Sequence, residues 1–387
     1  MKILFFSPWP PQHTGIADYM YDLAKGLAKS GHTITIFTEV EKPKKLNGVI
    51  IQKPCMLDDF DSRHYDLLVY QMGNNSKFHL FMLPYLFEFE GIIHLHDLVL
   101  HHLMAYCLYA HGDQQLYVKV LNKWYGQYVV NKVLDMMEEG INVWDSSAVT
   151  EFPFFEEIIQ HAKGVIIHSE FSQQKIHSVF PNLGCRVIPQ VYAGMQINTR
   201  QRGSKLSIGI FGGVDSNKRL DIVFQALARC GNLHEKVELN IVGSISDDCL
   251  YLKDLIHELR LDEVVTFHGR VDEAVFTDFF NATDLILALR YPTMGETSAI
   301  VMRSCQSAIP VVVSDVAWYA ELPDFVPKIM PETSTEVDEL ASLIRNFIEV
   351  TGFSEKRVDE ARAYAAKNLD FDDLINEYTL ILKGMQS

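Results

Sequence analysis

The chain has 387 residues, of which 48% are hydrophobic and 22% charged, and a formal net charge of −16 at pH 7. That length exceeds one ordinary core and points to two domains of an ordinary globular composition. The acidic balance excludes nucleic-acid binding through general electrostatics. It is uneven, since residues 1–200 carry 16 Lys and Arg against 20 Asp and Glu, whereas the remainder carries 18 against 30. The first half is therefore the less repelled by an anionic membrane or a lipid-linked substrate.

Lys2 leads directly into an apolar run and then Pro8 and Pro10, so no signal peptide is expected. The nearest approach to a membrane span, Ile92 to Tyr109, is interrupted by His94, His96, Asp97, His101 and His102. Six cysteines (Cys55, Cys107, Cys185, Cys230, Cys249, Cys305) are scattered without CxxC or zinc-type spacing. They read as buried free thiols in a reducing cytoplasm, and no metal site is expected.

In chain order, Lys2–Ser7 is a strand, and Ile16 to Ser30 is a helix with Ile16, Met20, Leu23, Ala24 and Leu27 on one face. Gly31 is its stop. Thr33–Thr38 is the next strand. The loop between them contains Gly15 but no GxGxxG, so a plain turn and a ligand loop both remain open there. Tyr65–Tyr70 and Gly91–Leu95 are further strands, and His96-Asp97 stand where the latter stops. A lone histidine near a strand is more often structural than functional. Open α/β sheets, however, bind ligands at this edge, and both readings stay open. Residues 98–161 carry long helical patterns rich in aromatics, most of them expected in the core and a minority available to line a groove. Gly164–His168 is a strand, Glu170 starts a helix, and Cys185–Pro189 is the last strand of this half.

Residues 195–206, MQINTRQRGSKL, are polar and aperiodic, the best linker candidate. The strand–helix alternation then restarts: strand Ser207–Phe211, helix from Leu220, strand Val237–Val242, helix from Asp248, strand Val264–Phe267, helix from Asp272. Alternation in both halves predicts two doubly wound parallel sheets. Gly212-Gly213 follow the first strand of this half, letting a ligand approach the backbone, and Lys218, at the start of the next helix, can neutralise a phosphate. The stretch DLILALRYPTMGETSAIVMRSCQSAIPVVVSD, Asp284 to Asp315, reads as strand, polar loop, helix headed by Thr297-Ser298, and strand. That helix start offers free amides to an anion, or Thr297 simply caps it. After Pro331 only helical patterns remain.

The chain as a whole resembles the family 4 retaining glycosyltransferases, in a variant with a GETS loop. The resemblance is carried by MKILFFSPWPPQHTGIADYMYDLAKGLAKSGH, by His96-Asp97, by GIFGGVDSNKRLD, by VVTFHGRV, by GETSAIVMRSCQSAIPVVVSD, and by Phe371–Tyr378, which looks like the family's crossover helix. It implies the GT-B fold: two Rossmann-like, doubly wound parallel-sheet domains facing a central cleft, with a C-terminal crossover helix. Residues 1–197 would form the acceptor-side domain and residues 206–368 the nucleotide-sugar domain, with the linker as hinge. Residues 369–387 would return to the first. It further implies sugar transfer from a UDP- or GDP-linked donor to a glycan or lipid-linked glycan, without a metal or other cofactor. Catalytic roles fall to His96, Asp97, Glu296 and Lys218. Donor contacts fall to Gly15, Gly212, Gly213 and Lys218, to Phe267, His268, Gly269, Arg270 and Val271 around the base, and to Arg290, Gly295, Glu296, Thr297, Ser298 and Arg303. The implied location is cytoplasmic, with peripheral contact at the inner membrane face through the N-terminal domain left open.

Three positions depart from the family pattern. Gly213 stands where an arginine is usual. The family's paired glutamates fall, in register with Pro310, on Gly295 and Arg303, so that Glu296 replaces the first and the ribose carboxylate is missing. Arg303, seven residues from Glu296, is expected on the same helix face, pairing with it or meeting phosphate, and Arg290 is a further phosphate candidate. Two other classes stay open on the same fold, a non-catalytic binding or partner subunit and a sugar-nucleotide epimerase.

Overall fold

The computed structural model describes residues 1–110, 114–198, 203–231, 236–349 and 355–386. Its chain divides into two compact units, Met1–Ala193 with Met294–Thr297 and Phe371–Ser387, and Gly194–Thr293 with Ser298–Asp370. The division falls at Ala193, just before the polar stretch 195–206, of which residues 199–202 lie outside the described residues.

The first unit is a seven-stranded parallel sheet: β1 Lys2–Phe6, β2 Thr33–Phe37, β3 Val49–Gln52, β4 Leu67–Met72, β5 Gly91–Leu95, β6 Ala162–Ile167 and β7 Cys185–Val187. The order is β3-β2-β1-β4-β5-β6-β7, so the chain reverses its direction of growth between β1 and β4. Phe5 pairs with Ile36 on one side and Val69 on the other, and the central strands are buried on both faces, as parallel sheets require. The helix Gly15–Lys29 is capped by the Thr14 hydroxyl, which accepts from the Ala17 amide at 3.0 Å. It buries Ala17, Met20, Leu23, Ala24 and Leu27 and ends before Gly31 at φ 86°.

The C-terminal helix Phe371–Met385 also belongs to this unit, burying Leu374, Ile375, Tyr378 and Leu382. A Cβ on Gly26 would lie 2.4 Å from Ile375 Cδ1, so the two helices meet where the first has no side chain. Of the aromatics between 98 and 161, Tyr117, Phe152, Phe154 and Phe155 are core, Trp124, Tyr125 and Trp144 are half-buried, and Tyr128 is 81% exposed.

The second unit repeats the topology with six parallel strands: β8 Leu206–Phe211, β9 Val237–Val242, β10 Val265–Gly269, β11 Leu285–Ala288, β12 Val311–Ser314 and β13 Lys328–Ile329. Their order is β10-β9-β8-β11-β12-β13, and the reversal lies between β8 and β11. The edge strands β3 and β13 are absent from the sequence expectation, being only four and two residues long. The cysteines depart from expectation too: Cys185, Cys249 and Cys305 are buried, but Cys55 is exposed, and all six are free thiols. No helix among the described residues is long and apolar enough to cross a membrane.

Candidate functional site

In a doubly wound sheet the loops on either side of the reversal splay apart and leave a crevice at the strands' C-terminal ends. In the second unit those loops follow β8 and β11. The loop after β8 holds Gly212 at φ 86° and Gly213, which is exposed. Gly243, after β9, approaches so closely that a Cβ there would lie 2.0 Å from the Gly212 carbonyl oxygen. Gly243 is thus required by the approach of the two loops, while exposed Gly213 leaves bare backbone that a ligand can reach.

Lys218 sits in a short 3-10 turn, Ser216–Lys218, rather than at the start of the following helix, Leu220–Ala228. Between them Arg219 adopts a left-handed φ of 53° and is anchored by a fork of two bonds to the Glu336 carboxylate, at 2.8 and 2.6 Å. That turn returns Lys218 to the strand end, where its Nζ donates to the Phe211 carbonyl at 2.6 Å and would lie 3.1 Å from a Cβ on Gly212.

From the other side of the reversal comes Arg290. Its backbone amide is held by Ser314 Oγ at 2.9 Å, and its guanidinium donates to Asn217 Oδ1 at 2.7 Å, beside Lys218. The Asn217 carbonyl in turn accepts from the Tyr291 amide at 2.7 Å. Burial first, and then the Arg290 charge, pull the Lys218 ammonium down to about 7, with Asp215 opposing. Two cations held against their mutual repulsion form a site for an anion with several oxygens.

Phe267–Val271 lie at the end of the edge strand β10. His268 bonds Asn240 Oδ1 at 2.7 Å and packs on Phe279 with ring centroids 4.2 Å apart. Gly269, at φ 63°, has open space where a Cβ would be, while Phe267 and Val271 are half-buried and Arg270 is exposed.

The helix after the GETS segment begins at Ala299, one residue later than expected, and its cap is Ser298, whose Oγ accepts from the Val301 amide at 3.4 Å. Thr297 does not cap: its hydroxyl donates to Gln190 Oε1 at 2.9 Å, within the first unit. Glu296 also precedes the helix, so it shares no helix face with Arg303. One carboxylate oxygen of Glu296 accepts from the Met294 amide at 2.7 Å. Arg303 instead lines a hollow of about 300 Å³ with Asn198, Phe276, Phe280, Asn281 and Ser307.

In the first unit, Met294–Thr297 packs on the residues that follow β5. The Val99 amide donates to the Met294 carbonyl at 2.9 Å, and Gly295, at φ 70°, has no room for a Cβ, which would lie 2.6 Å from Leu98 Cβ. Glu296 is thus brought to the chain segment of His96 and Asp97. Asp97 Oδ2 accepts from the Asn74 amide at 2.7 Å, joining the ends of β4 and β5. His96, expected at a ligand, is buried: its Nε2 faces Gln71 Oε1 at 2.7 Å and its Nδ1 faces His168 Nε2 at 3.3 Å. Gly15 is the exposed first residue of its helix.

The sequence expectation missed the company His96 keeps. His94, His96 and His168 converge in one buried cluster, under the ring of Tyr19. The signal was His94-x-His96 at a strand's end, where alternate residues share a face.

Residues 205–361 match the family model described as "Glycosyl transferases group 1". No curated protein matches the chain. Among solved structures, HepE of Anabaena, in complex with UDP, is similar over 99% of this chain and 100% of its own, at 19% identity and a TM-score of 0.64. Sucrose-phosphate synthase from Thermosynechococcus elongatus is similar over 100% and 99%, at 14% identity and a TM-score of 0.68. WaaG, a glycosyltransferase involved in lipopolysaccharide biosynthesis, is similar over 99% and 100%, at 14% identity and a TM-score of 0.66. At these identities the likeness shows the fold, GT-B with two parallel-sheet α/β domains.

Proposed function

We propose that this chain, a GT-B protein with a group 1 glycosyltransferase match over residues 205–361, transfers a sugar from a nucleotide-diphosphate donor to a glycan or lipid-linked glycan with retention of configuration. The observation that carries this reading is the pair Lys218 and Arg290, set beside Gly212 and Gly213 at the reversal of the second sheet. Each cation raises the cost of the other's charge, and a diphosphate relieves both. HepE is described in complex with UDP and with UDP-glucose, which supports a uridine donor over a guanosine one.

Retaining transfer on such a site asks little of side-chain chemistry. The acceptor hydroxyl attacks from the face the diphosphate is leaving, forming the new C–O bond as the old one breaks. Its proton passes to the departing phosphate oxygen. The protein's part is to position the groups and to hold the charge that develops on the leaving diphosphate. Lys218 and Arg290 supply that charge, and the amides at the start of the helix Ala299–Ser307 add their dipoles. In the first unit, Glu296 and Asp97 are the carboxylates offered to sugar hydroxyls. The His96 ring, with both nitrogens engaged, acts by fixing the strand end rather than by touching the sugar.

A thermal-shift panel of UDP, GDP, ADP and their common sugars, run with the wild type and Lys218→Ala, tests the reading. Ligand at ~100 times its dissociation constant stabilises the folded state by about 2.7 kcal/mol. A shift with a uridine ligand that disappears in the variant is expected. No shift with any nucleotide would leave a binding or partner subunit as the better account.

A further inference from the structure

The buried histidines of the first unit carry a second chemistry. His94, in β5, and His96, just beyond its end, point to one face of the sheet. β6 lies alongside, with Ile166 opposite His94, so His168 joins them on that face. The ring centroids are 4.6 Å apart for His94 and His96, 4.8 Å for His94 and His168, and 5.1 Å for His96 and His168. One nitrogen of each ring lies within 4.8 Å of the other two. His168 Nε2 is the centre of the group, 3.2 Å from His94 Nε2 and 3.3 Å from His96 Nδ1.

The outward partners bear on where the protons are, and the one backbone carbonyl among them fixes a tautomer. His168 Nδ1 faces the Ile188 carbonyl at 3.0 Å. A carbonyl only accepts, so Nδ1 carries the hydrogen and Nε2 a lone pair. His96 Nε2 faces Gln71 Oε1 at 2.7 Å, and with its hydrogen there it carries a lone pair on Nδ1. His94 Nδ1 faces the Tyr378 hydroxyl at 3.1 Å, a group that both donates and accepts, so the tautomer with a lone pair on Nε2 is open to it. With the hydrogens of His94 and His96 on their outward nitrogens, all three inward nitrogens are acceptors, the donor set that an electrophile needs.

We propose that His94, His96 and His168 bind a divalent first-row transition ion, with Zn²⁺ the best fit and water completing the coordination. Bonds of about 2.05 Å at tetrahedral angles set ligand nitrogens about 3.3 Å apart, the spacing found for two of the three pairs. An all-imidazole set selects zinc, copper or nickel over magnesium or calcium. Each outward nitrogen has its own partner (a carbonyl, an amide oxygen, a phenol), which is how metal-bound histidines are oriented. His96 is 7% and His168 6% exposed, so the site is dry but not sealed. The ion's ligands belong to the first unit and the proposed diphosphate contacts to the second, and its role is to tie β5, β6 and the Tyr378 helix together.

The test uses the full-length, untagged chain, stripped with a chelator and titrated with Co²⁺ and then Zn²⁺. One equivalent of Co²⁺ is expected to give the visible absorption of a four-coordinate ion, to raise the melting temperature, and to be displaced by Zn²⁺. His168→Gln, checked for folding by circular dichroism, is expected to weaken binding beyond the 10–100-fold that an outer-partner change costs. A folded wild type without stoichiometric uptake overturns the proposal on its own, whatever the variant does. The Gln71 amide would then be reversed, so that its Nε2, which has no hydrogen-bond partner as placed, donates to His96, and His96 Nδ1–H donates to His168. Undiminished binding in folded His168→Gln overturns it as well, by placing the ion elsewhere.

Discussion

The two sheets share one topology and reverse at the equivalent place, yet their C-terminal edges carry opposite chemistry. In the second unit the reversal is lined by bare glycine backbone and two cations, Lys218 and Arg290, in mutual strain. In the first unit the equivalent edge carries a carboxylate and histidines drawn together by hydrogen bonds: the Asn74 amide to Asp97, the Asn74 side chain to His102, and Gln71 to His96. Topology supplies a crevice in both cases, and loop residues decide whether it is left wanting a ligand.

The sharpest way to break this contrast is to disturb what holds the cationic turn. Glu336 is 2% exposed and takes the fork from Arg219, next in sequence to Lys218. Glu336→Leu leaves that arginine without its buried partner and should cost about 3–5 kcal/mol in urea unfolding, most of it recovered when Arg219→Met is added. Lys218→Ala should keep the fold and lower kcat/KM for sugar transfer ~100-fold, on the order of 3 kcal/mol in the transition state. Undiminished transfer would remove the second unit's edge from the chemistry.

Gly295→Ala probes the first unit's side of the comparison. The left-handed φ and the contact with Leu98 predict a loss of about 1–3 kcal/mol in thermal or chemical unfolding. The smallest effect is a proton count. Between about 7 and the ordinary 10.5 the unfolded Lys218 holds a proton that the folded one lacks, so stability should rise with pH across that window. A bound diphosphate reverses the imbalance. UDP binding at pH 8 should take up as much as one proton, read as a dependence of calorimetric heat on buffer ionisation enthalpy, and Lys218→Met should abolish the uptake.

Most strands were legible because each is a short apolar run bounded by polar or glycine punctuation, as in Leu285–Ala288 and Val311–Ser314. β13 has two residues and no pattern to read. Lys218 and Arg290 were legible as phosphate candidates, since both follow strands that lead into the crevice. Their neighbour Asn217 was not, because its role depends on a hydrogen bond to a residue 73 positions away. The helix start was misplaced by one residue, because Thr297 and Ser298 are equally good caps locally. The decision came from Gln190, which takes the Thr297 hydroxyl. The histidine cluster was legible only as far as His94-x-His96, because His168 meets His96 through the pairing of β5 with β6.

The allocation of Met294–Thr297 to the first unit has a consequence for how the protein can be divided. The chain passes between the units at residues 193–194, 293–294, 297–298 and 370–371. Neither unit is one continuous piece of polypeptide, so no single cut yields two complete parts. A fragment ending at Ala193 would lack both Met294–Thr297 and the helix that fills the groove at Gly26. Complementation from separately expressed halves should therefore begin by appending the C-terminal helix to the first half, as a circular permutation does.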